Sequence, residues 1–173
     1  MKKNLVIYYS RRGENYVSGR IEDLAKGNCE YLAAYIQDAI EVDLFHAETV
    51  VPYSKDYEEC TREAARDLKE NRKPELKAYL DDLSDYDNIF LVGPCWWGTY
   101  PMALFVALDG LDFTGKHVFC CMSHEGSGMG HSVQDCKKKL KGAIFGESLA
   151  VQGSRTQASR DLVSAWAQKC MNR

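Results

Sequence analysis

The chain has 173 residues, 45% of them hydrophobic and 27% charged, with a formal net charge of −3 at pH 7. That balance excludes disordered and fibrous classes and fits one globular domain over residues 1–173. At this length a compact fold buries roughly 70% of the surface of its unfolded chain, so neither a disulfide nor a structural metal is required. The weak charge gives no field for nucleic-acid binding or adhesion to acidic lipid.

Met1-Lys2-Lys3 precedes an apolar run too short for a secretory signal, and no later run approaches the length of a membrane span. The expectation is a soluble, cytoplasmic protein with no membrane or nucleic-acid partner. Residues 4–9 (Asn-Leu-Val-Ile-Tyr-Tyr) form a continuous β-rich apolar run, the mark of a strand covered on both faces. Residues 88–93 and 117–122 have the same character, and 41–45 and 147–151 are weaker candidates, giving five strands. Helical patterns lie between them over 31–40, 57–69, 74–80, 102–108 and 132–140, and the clearest stripe is Leu162, Val163, Trp166, Ala167 and Cys170. Alternating strands and helices with right-handed crossovers specify a three-layer α/β fold. Residues 11–26 have no convincing element, with weak helical character only over 21–25; stretches of that length are uncommon unless functional.

Seven cysteines, at 29, 60, 95, 120, 121, 136 and 170, include no Cys-x-x-Cys pair, which argues for reduced core thiols over a disulfide framework or zinc ribbon. The four histidines, at 46, 117, 124 and 131, have no helical ligand spacing, so no metal site is expected.

In an open α/β sheet, ligands bind outside the carboxyl ends of the strands. The first strand is followed by Ser10-Arg11-Arg12-Gly13-Glu14-Asn15-Tyr16, and Gly27-Asn28-Cys29-Glu30 immediately precedes the first good amphipathic helix. Asn28 is a favourable N-cap, and the amides of Cys29 and Glu30 would face an anion at the helix start, with the Glu30 side chain turned away. The Ser10 hydroxyl and Arg11 or Arg12 would complete a phosphate cradle, each charge-assisted bond contributing about 1.5 to 3 kcal/mol. Plain turns, caps and solvated arginines account for the same residues.

The third strand leads into Gly93-Pro94-Cys95-Trp96-Trp97-Gly98-Thr99-Tyr100-Pro101. Two adjacent tryptophans do not easily enter one core, and exposed indole is costly to leave wet, so this loop asks for a flat partner. Packing of one indole on the next helix and of the other on a partner protein is the alternative. After the fourth strand, Ser123-His124-Glu125-Gly126-Ser127-Gly128-Met129-Gly130-His131 lets the backbone approach a ligand closely, unless it is a flexible loop with His124 and Glu125 solvated. Lys137, Lys138 and Lys139 read as a solvated helix face.

In this order the three loops resemble those of the flavodoxin-like family, in the branch related to both flavodoxins and flavin-dependent quinone reductases. The likeness covers essentially the whole chain and rests on Pro94-Cys95-Trp96-Trp97-Gly98 together with Ser123-His124-Glu125-Gly126-Ser127-Gly128. It implies a five-stranded parallel sheet in the order 2-1-3-4-5 and non-covalently bound flavin mononucleotide (FMN). The family's compact phosphate loop has hydroxyl residues at its first, third and last positions, with Gly-Asn before the last. Here Ser10 and Arg12 stand at the first and third, and Gly27, Asn28 and Cys29 at the end, split by an insertion over 13–26. The resemblance then implies phosphate on Ser10 and the amides of Asn28 and Cys29, covered by Arg12 and Asn15. The isoalloxazine would stack on Trp97 or Trp96, with Pro94, Cys95, Gly98 and Thr99 completing that loop and the backbone near Gly98 facing the redox-active nitrogen. Ser123, His124, Glu125, Gly126, Ser127 and Gly128 would line the pyrimidine end.

A flavin carries its own electron chemistry, so no acid, base or nucleophile is required, and none is visible in the sequence. The expected function is electron transfer through FMN to a redox partner protein. The alternative is an NAD(P)H-dependent FMN oxidoreductase acting on a quinone or similar small acceptor, slightly favoured by a charge too small for electrostatic docking on basic partners. A phosphoacceptor signalling domain would need an aspartate where Pro94 and Cys95 stand, and a cysteine phosphatase an arginine where Pro101 stands.

Overall fold

The structure, a computed structural model, describes residues 3–172; Met1 and Lys2, used above in reading the N-terminus, lie outside the described residues with Arg173. In chain order the elements are β1 (Lys3–Tyr8), β2 (Gly13–Val17), β3 (Arg20–Leu24), α1 (Asn28–Ala39), β4 (Asp43–His46), α2 (Tyr57–Glu70) and β5 (Tyr86–Pro94). They continue with α3 (Met102–Ala107), β6 (His117–His124), α4 (Ser132–Lys139), β7 (Ile144–Phe145), β8 (Leu149–Gln152), a 3-10 turn (Gly153–Ala158) and α5 (Arg160–Met171).

Strand residues alternate between two buried faces. Leu5, Ile7, Ile89, Leu91, Val118, Cys120 and Met122 pack against α3 and α4, while Val6, Phe90, Val92, Phe119 and Cys121 pack against α1 and α5. This double burial explains why the strands are apolar throughout instead of at every second position. Helix α1 buries Cys29, Leu32, Ala33 and Ile36 along one stripe, and α5 answers with Val163, Trp166, Ala167 and Cys170.

The main sheet is parallel throughout and runs β4-β1-β5-β6-β7, with β8 also paired to β6. Six strands in this order replace the expected five in the order 2-1-3-4-5. Two hairpin strands intervene in the chain, and the last place in the sheet is divided. β7 takes His117 and Val118 as partners, β8 takes Cys121 to His124, and between them the Gly146 amide donates to the Val118 carbonyl at 3.0 Å.

Two further expectations fail for local reasons. Residues 74–80 form no helix, because Leu76 bridges to Thr49 and the Lys77 amide donates to the Glu48 carbonyl at 2.9 Å, pulling the segment into extended pairing. Residues 21–25, read as weakly helical, belong mostly to β3 of an antiparallel hairpin. Its two-residue tip is Ser18 (φ 48°) and Gly19 (φ 87°), the positive-φ pair of a type I′ turn, which matches the natural strand twist. No helix among the described residues is long and apolar enough to cross a membrane.

Candidate functional site

Strand register brings three loops to one rim. Tyr8 stands beside Val92 and Pro94 beside Ser123, so β5 and β6 end within one residue of each other and β1 ends two residues short of β5, and the Cys95 amide donates to the Ser123 carbonyl at 2.8 Å. The second and third loops also touch directly: the His131 amide donates to the Gly98 carbonyl at 2.7 Å. A Cβ at Gly130 would lie 2.1 Å from that carbonyl, so only glycine permits the approach.

The loop after β1 is split by the β2–β3 hairpin and rejoined at its base. The Glu30 amide donates to the Ser10 hydroxyl oxygen at 3.2 Å. A Cβ at Gly27 would lie 2.1 Å from Ser10 Oγ and 2.9 Å from the Arg11 carbonyl, which makes glycine the condition for the two halves to meet. Gly27 is also the N-cap residue of α1; Asn28, expected as the cap, is the first helical residue, because the extended backbone needed at a cap falls one position earlier (Gly27 φ −67°, ψ 150°). Among the described residues the Asn28 and Cys29 amides have no backbone partner, whereas the Glu30 amide is taken by Ser10 and Gly27. The helix start therefore offers two free donors with the positive end of its dipole.

The Glu30 side chain departs from expectation, and the Cys29 thiol takes no part in the cradle. Arg12 grips Glu30 with both ends of its fork, at 2.8 and 3.1 Å, so the carboxylate is neutralised in place and not turned away alone. The Cys29 thiol contacts Ser123 Oγ at 3.3 Å inside the core, and burial pushes its pKa up to about 12, so it faces β6 and not the cradle. Asn15 Nδ2 donates to the carbonyls of Arg11 and Gly13, at 3.0 and 3.1 Å, and fixes the backbone entering the hairpin.

The hairpin stands over the rim as a strut. The Glu14 carboxylate accepts from the Tyr57 amide at 2.8 Å, Tyr16 and Tyr57 stack at 6.2 Å, and the Ser18 amide donates to Glu125 Oε2 at 3.2 Å. Glu125 Oε1 accepts from the Ser154 amide at 3.1 Å. The Glu125 side chain thus ties hairpin tip to the 3-10 turn, and its role in the loop is architectural. His124 is half-buried and bonds locally, its Nδ1 accepting from the Gly126 amide at 2.9 Å, while Gly126 and Ser127 are exposed and Gly128 half-buried.

In the aromatic loop the adjacent indoles divide. Trp96 packs edge-on to Tyr9 and Tyr53, with ring centroids 5.3 and 5.1 Å away. Trp97 is 60% exposed and sits at φ 55°, a left-handed conformation rare for a bulky side chain. Trp96 and Thr99 close the turn with reciprocal backbone bonds of 2.8 and 3.3 Å, and the Trp97 Nε1 donates to the Thr61 carbonyl at 3.0 Å. Strain of this kind costs about 1 to 3 kcal/mol and persists where the surroundings over-determine it, often at ligand sites. Thr99 is buried and donates to Asp135 Oδ2 at 2.8 Å, so it anchors the turn from below. A slot of about 300 Å³ opens beside this loop, lined by Arg11, Asn15, Tyr57, Cys60, Cys95, Trp96 and Trp97 among others. Burial pushes the Cys60 thiol up to about 11, leaving it protonated and unreactive at neutral pH.

The rim therefore brings together Ser10, Arg12, Asn15, the Asn28 and Cys29 amides, the residues from Pro94 to Gly98, and the exposed loop backbone from Gly126 to Gly128. It withdraws the Cys29 thiol, Thr99 and Ser123 into the core, and engages the half-buried Glu125 carboxylate with the backbone of Ser18 and Ser154. The sequence reading missed Tyr57 and Cys60 as slot residues, for which Asp56, the N-cap that begins α2 at Tyr57, was the available signal.

A family model described as flavodoxin matches residues 3–170. No curated protein sequence matches the chain. A solved structure of a provisionally assigned flavoprotein from Bacteroides uniformis superposes with a TM-score of 0.76 at 20% identity, covering 96% of this chain and 98% of that one. A flavoprotein from Lactobacillus acidophilus, solved in complex with FMN, gives 0.63 at 18% identity over 95% and 99% of the two chains. Oxidised flavodoxin 2 from Bacillus cereus gives 0.56 at 17% identity over 98% of each. The fold is that of the flavodoxin-like α/β class, with its ligand rim at the carboxyl ends of parallel strands. The chain itself belongs to the flavodoxin family.

Proposed function

We propose that this chain binds FMN non-covalently at the rim and works as a redox protein. The observation that carries the reading is the convergence, on one sheet edge, of a two-amide helix start closed by Ser10 and Gly27 with a slot walled by a strained, exposed Trp97. The residues fit the group at both ends: free amides and a hydroxyl suit a phosphate, and exposed indole suits a flat ring. FMN supplies the electron chemistry when bound. The chain's own work is to bind and orient. The Asn28 and Cys29 amides and Ser10 hold the anion, Arg12 cancels the charge of Glu30 beside it, and the Trp97 turn presents an apolar face. Backbone from Gly126 to Gly128 offers polar groups to a ring edge.

The electron donor and acceptor follow from the same proposal: either a partner protein, or NAD(P)H and a small acceptor such as a quinone. Titration of FMN with the purified protein tests the binding; the expected result is stoichiometric quenching of flavin fluorescence with a perturbed visible spectrum. A protein that leaves both unchanged overturns the reading. Anaerobic mixing of FMN-loaded protein with NADH or NADPH separates the two roles, rapid bleaching of the flavin band supporting the oxidoreductase and none supporting the carrier.

A further inference from the structure

Beneath the Trp97 turn, a threonine and a histidine from different loops meet on one carboxylate oxygen of α4. Asp135 Oδ2 accepts from the buried Thr99 hydroxyl at 2.8 Å and pairs with His131 Nδ1 at 2.7 Å. The carboxylate accepts from both partners, so the imidazole proton on this side is on Nδ1. The rest of the imidazole packs against Gly98: a Cβ built there would lie 2.9 Å from His131 Nε2 and 3.0 Å from its Cδ2. The backbone repeats the tie, the His131 amide donating to the Gly98 carbonyl at 2.7 Å and the Asp135 amide to the His131 carbonyl at 3.0 Å.

Trp97 (φ 55°) and Gly98 (φ 82°) are consecutive left-handed residues, a conformation that lasts only where its surroundings hold it. The Asp135 unit holds it from below, at Thr99 directly and at Gly98 through His131. None of these three side chains lines the aromatic slot. They face instead a hollow of about 400 Å³ between α2, α3 and α4, so they reach a ring in the slot only by way of the turn. We propose that Asp135, with Thr99 and His131 as its donors, is a positioning residue for the flavin, setting the height and tilt of the Trp97–Gly98 turn against the ring. The inference rests on FMN binding at the rim and deepens it, giving control of the ring's surroundings to residues that do not touch it.

The test titrates the purified protein with FMN and with riboflavin, which has the ring and lacks the phosphate, and measures the midpoint potential of the FMN-loaded protein. Asp135→Ala and Thr99→Val are each expected to weaken FMN and riboflavin by a common factor of about ten, because the phosphate end is untouched. The double variant should be no weaker than Asp135→Ala alone, to within about twofold, as for groups that act as one unit. Thr99→Val changes no charge, so a shifted potential in that variant reports a displaced turn. Thr99→Ser keeps the hydroxyl and should restore both affinity and potential. His131→Ala, at an exposed position, gives a second route should Thr99→Val unfold, with both flavins weakened by a common factor of about three. In flavin-free protein, hydrogen exchange at the His131 amide should be slow in the parent and faster in Asp135→Ala.

Parent-like affinities in the variants, a loss confined to FMN, a potential unmoved in Thr99→Val, or a loss in Thr99→Ser equal to that in Thr99→Val overturns the proposal. A parent that binds neither flavin overturns the cofactor reading as well, and the His131 amide then still shows whether the clamp exists. A parent that binds FMN beside unaltered variants overturns the positioning role alone.

Discussion

The aromatic loop after β5 and the anion cradle after β1 reach the same rim by different construction. The aromatic loop is contiguous: its turn from Trp96 to Thr99 closes on its own backbone, and its two indoles are neighbours in the chain. The cradle comes in two pieces, and the contact that joins them, Ser10 with Gly27 and Glu30, spans the whole hairpin. A local turn survives changes elsewhere, whereas an assembled cradle depends on the fit at its neck. The loops should therefore respond differently to substitution.

Trp96→Ala should have the largest effect. The ring is wedged between Tyr9 and Tyr53, and its removal is expected to cost about 3 kcal/mol in urea unfolding. Trp97→Ala should cost less than about 1 kcal/mol by the same measurement, since the ring is largely exposed. Equal losses would break the division of labour between the two indoles. Gly27→Ala comes next: an added methyl meets Ser10 and the Arg11 carbonyl, and the neck it forces apart is expected to weaken FMN binding roughly 30-fold, about 2 kcal/mol. A constant within threefold of the parent would show that the neck does not shape the cradle. Trp97→Ala should then weaken FMN at least tenfold, about 1.4 kcal/mol; an unchanged constant assigns the ring contact to another residue.

The smallest effect is one of pH. Burial lowers the His46 pKa in the folded state from its ordinary 6.5, with Glu48 and Glu30 pulling the other way and Arg12 and Lys77 adding to the depression. Below about pH 6.5 the unfolded chain takes up the proton first, so folded stability is full above about pH 6.5 and falls as pH drops from there toward the lowered folded-state value. Unfolding midpoints measured from pH 7 to 5 should show this decline, and His46→Gln should flatten it; an identical slope in the variant would sink the assignment.

Much of the fold was legible because its cause is written locally. Val6 and Ile7 face opposite cores, so the run around them is apolar at every position, and the Trp96-Trp97 pair in a glycine-rich turn marks a surface with a purpose. The hairpin was hidden because residues 13–24 bury little and show no apolar alternation, although the Ser18-Gly19 pair is a hairpin signal. The false helix over 74–80 failed, and the direction of the Cys29 thiol was not legible, for another reason. Leu76 is held by Thr49, and Cys29 by Ser123 94 residues away, partners that no local window contains.

The division of the sheet's last place between β7 and β8 has a consequence for the molecule's sociability. One flank offers a two-residue and a four-residue strand interrupted at Gly146, and the opposite flank ends on the four-residue β4. Long, uninterrupted rows of unpaired backbone donors and acceptors invite stray chains to add a strand. This sheet presents none on either side, so its apolar, aggregation-prone interior strands are fenced by borders too short to template another copy.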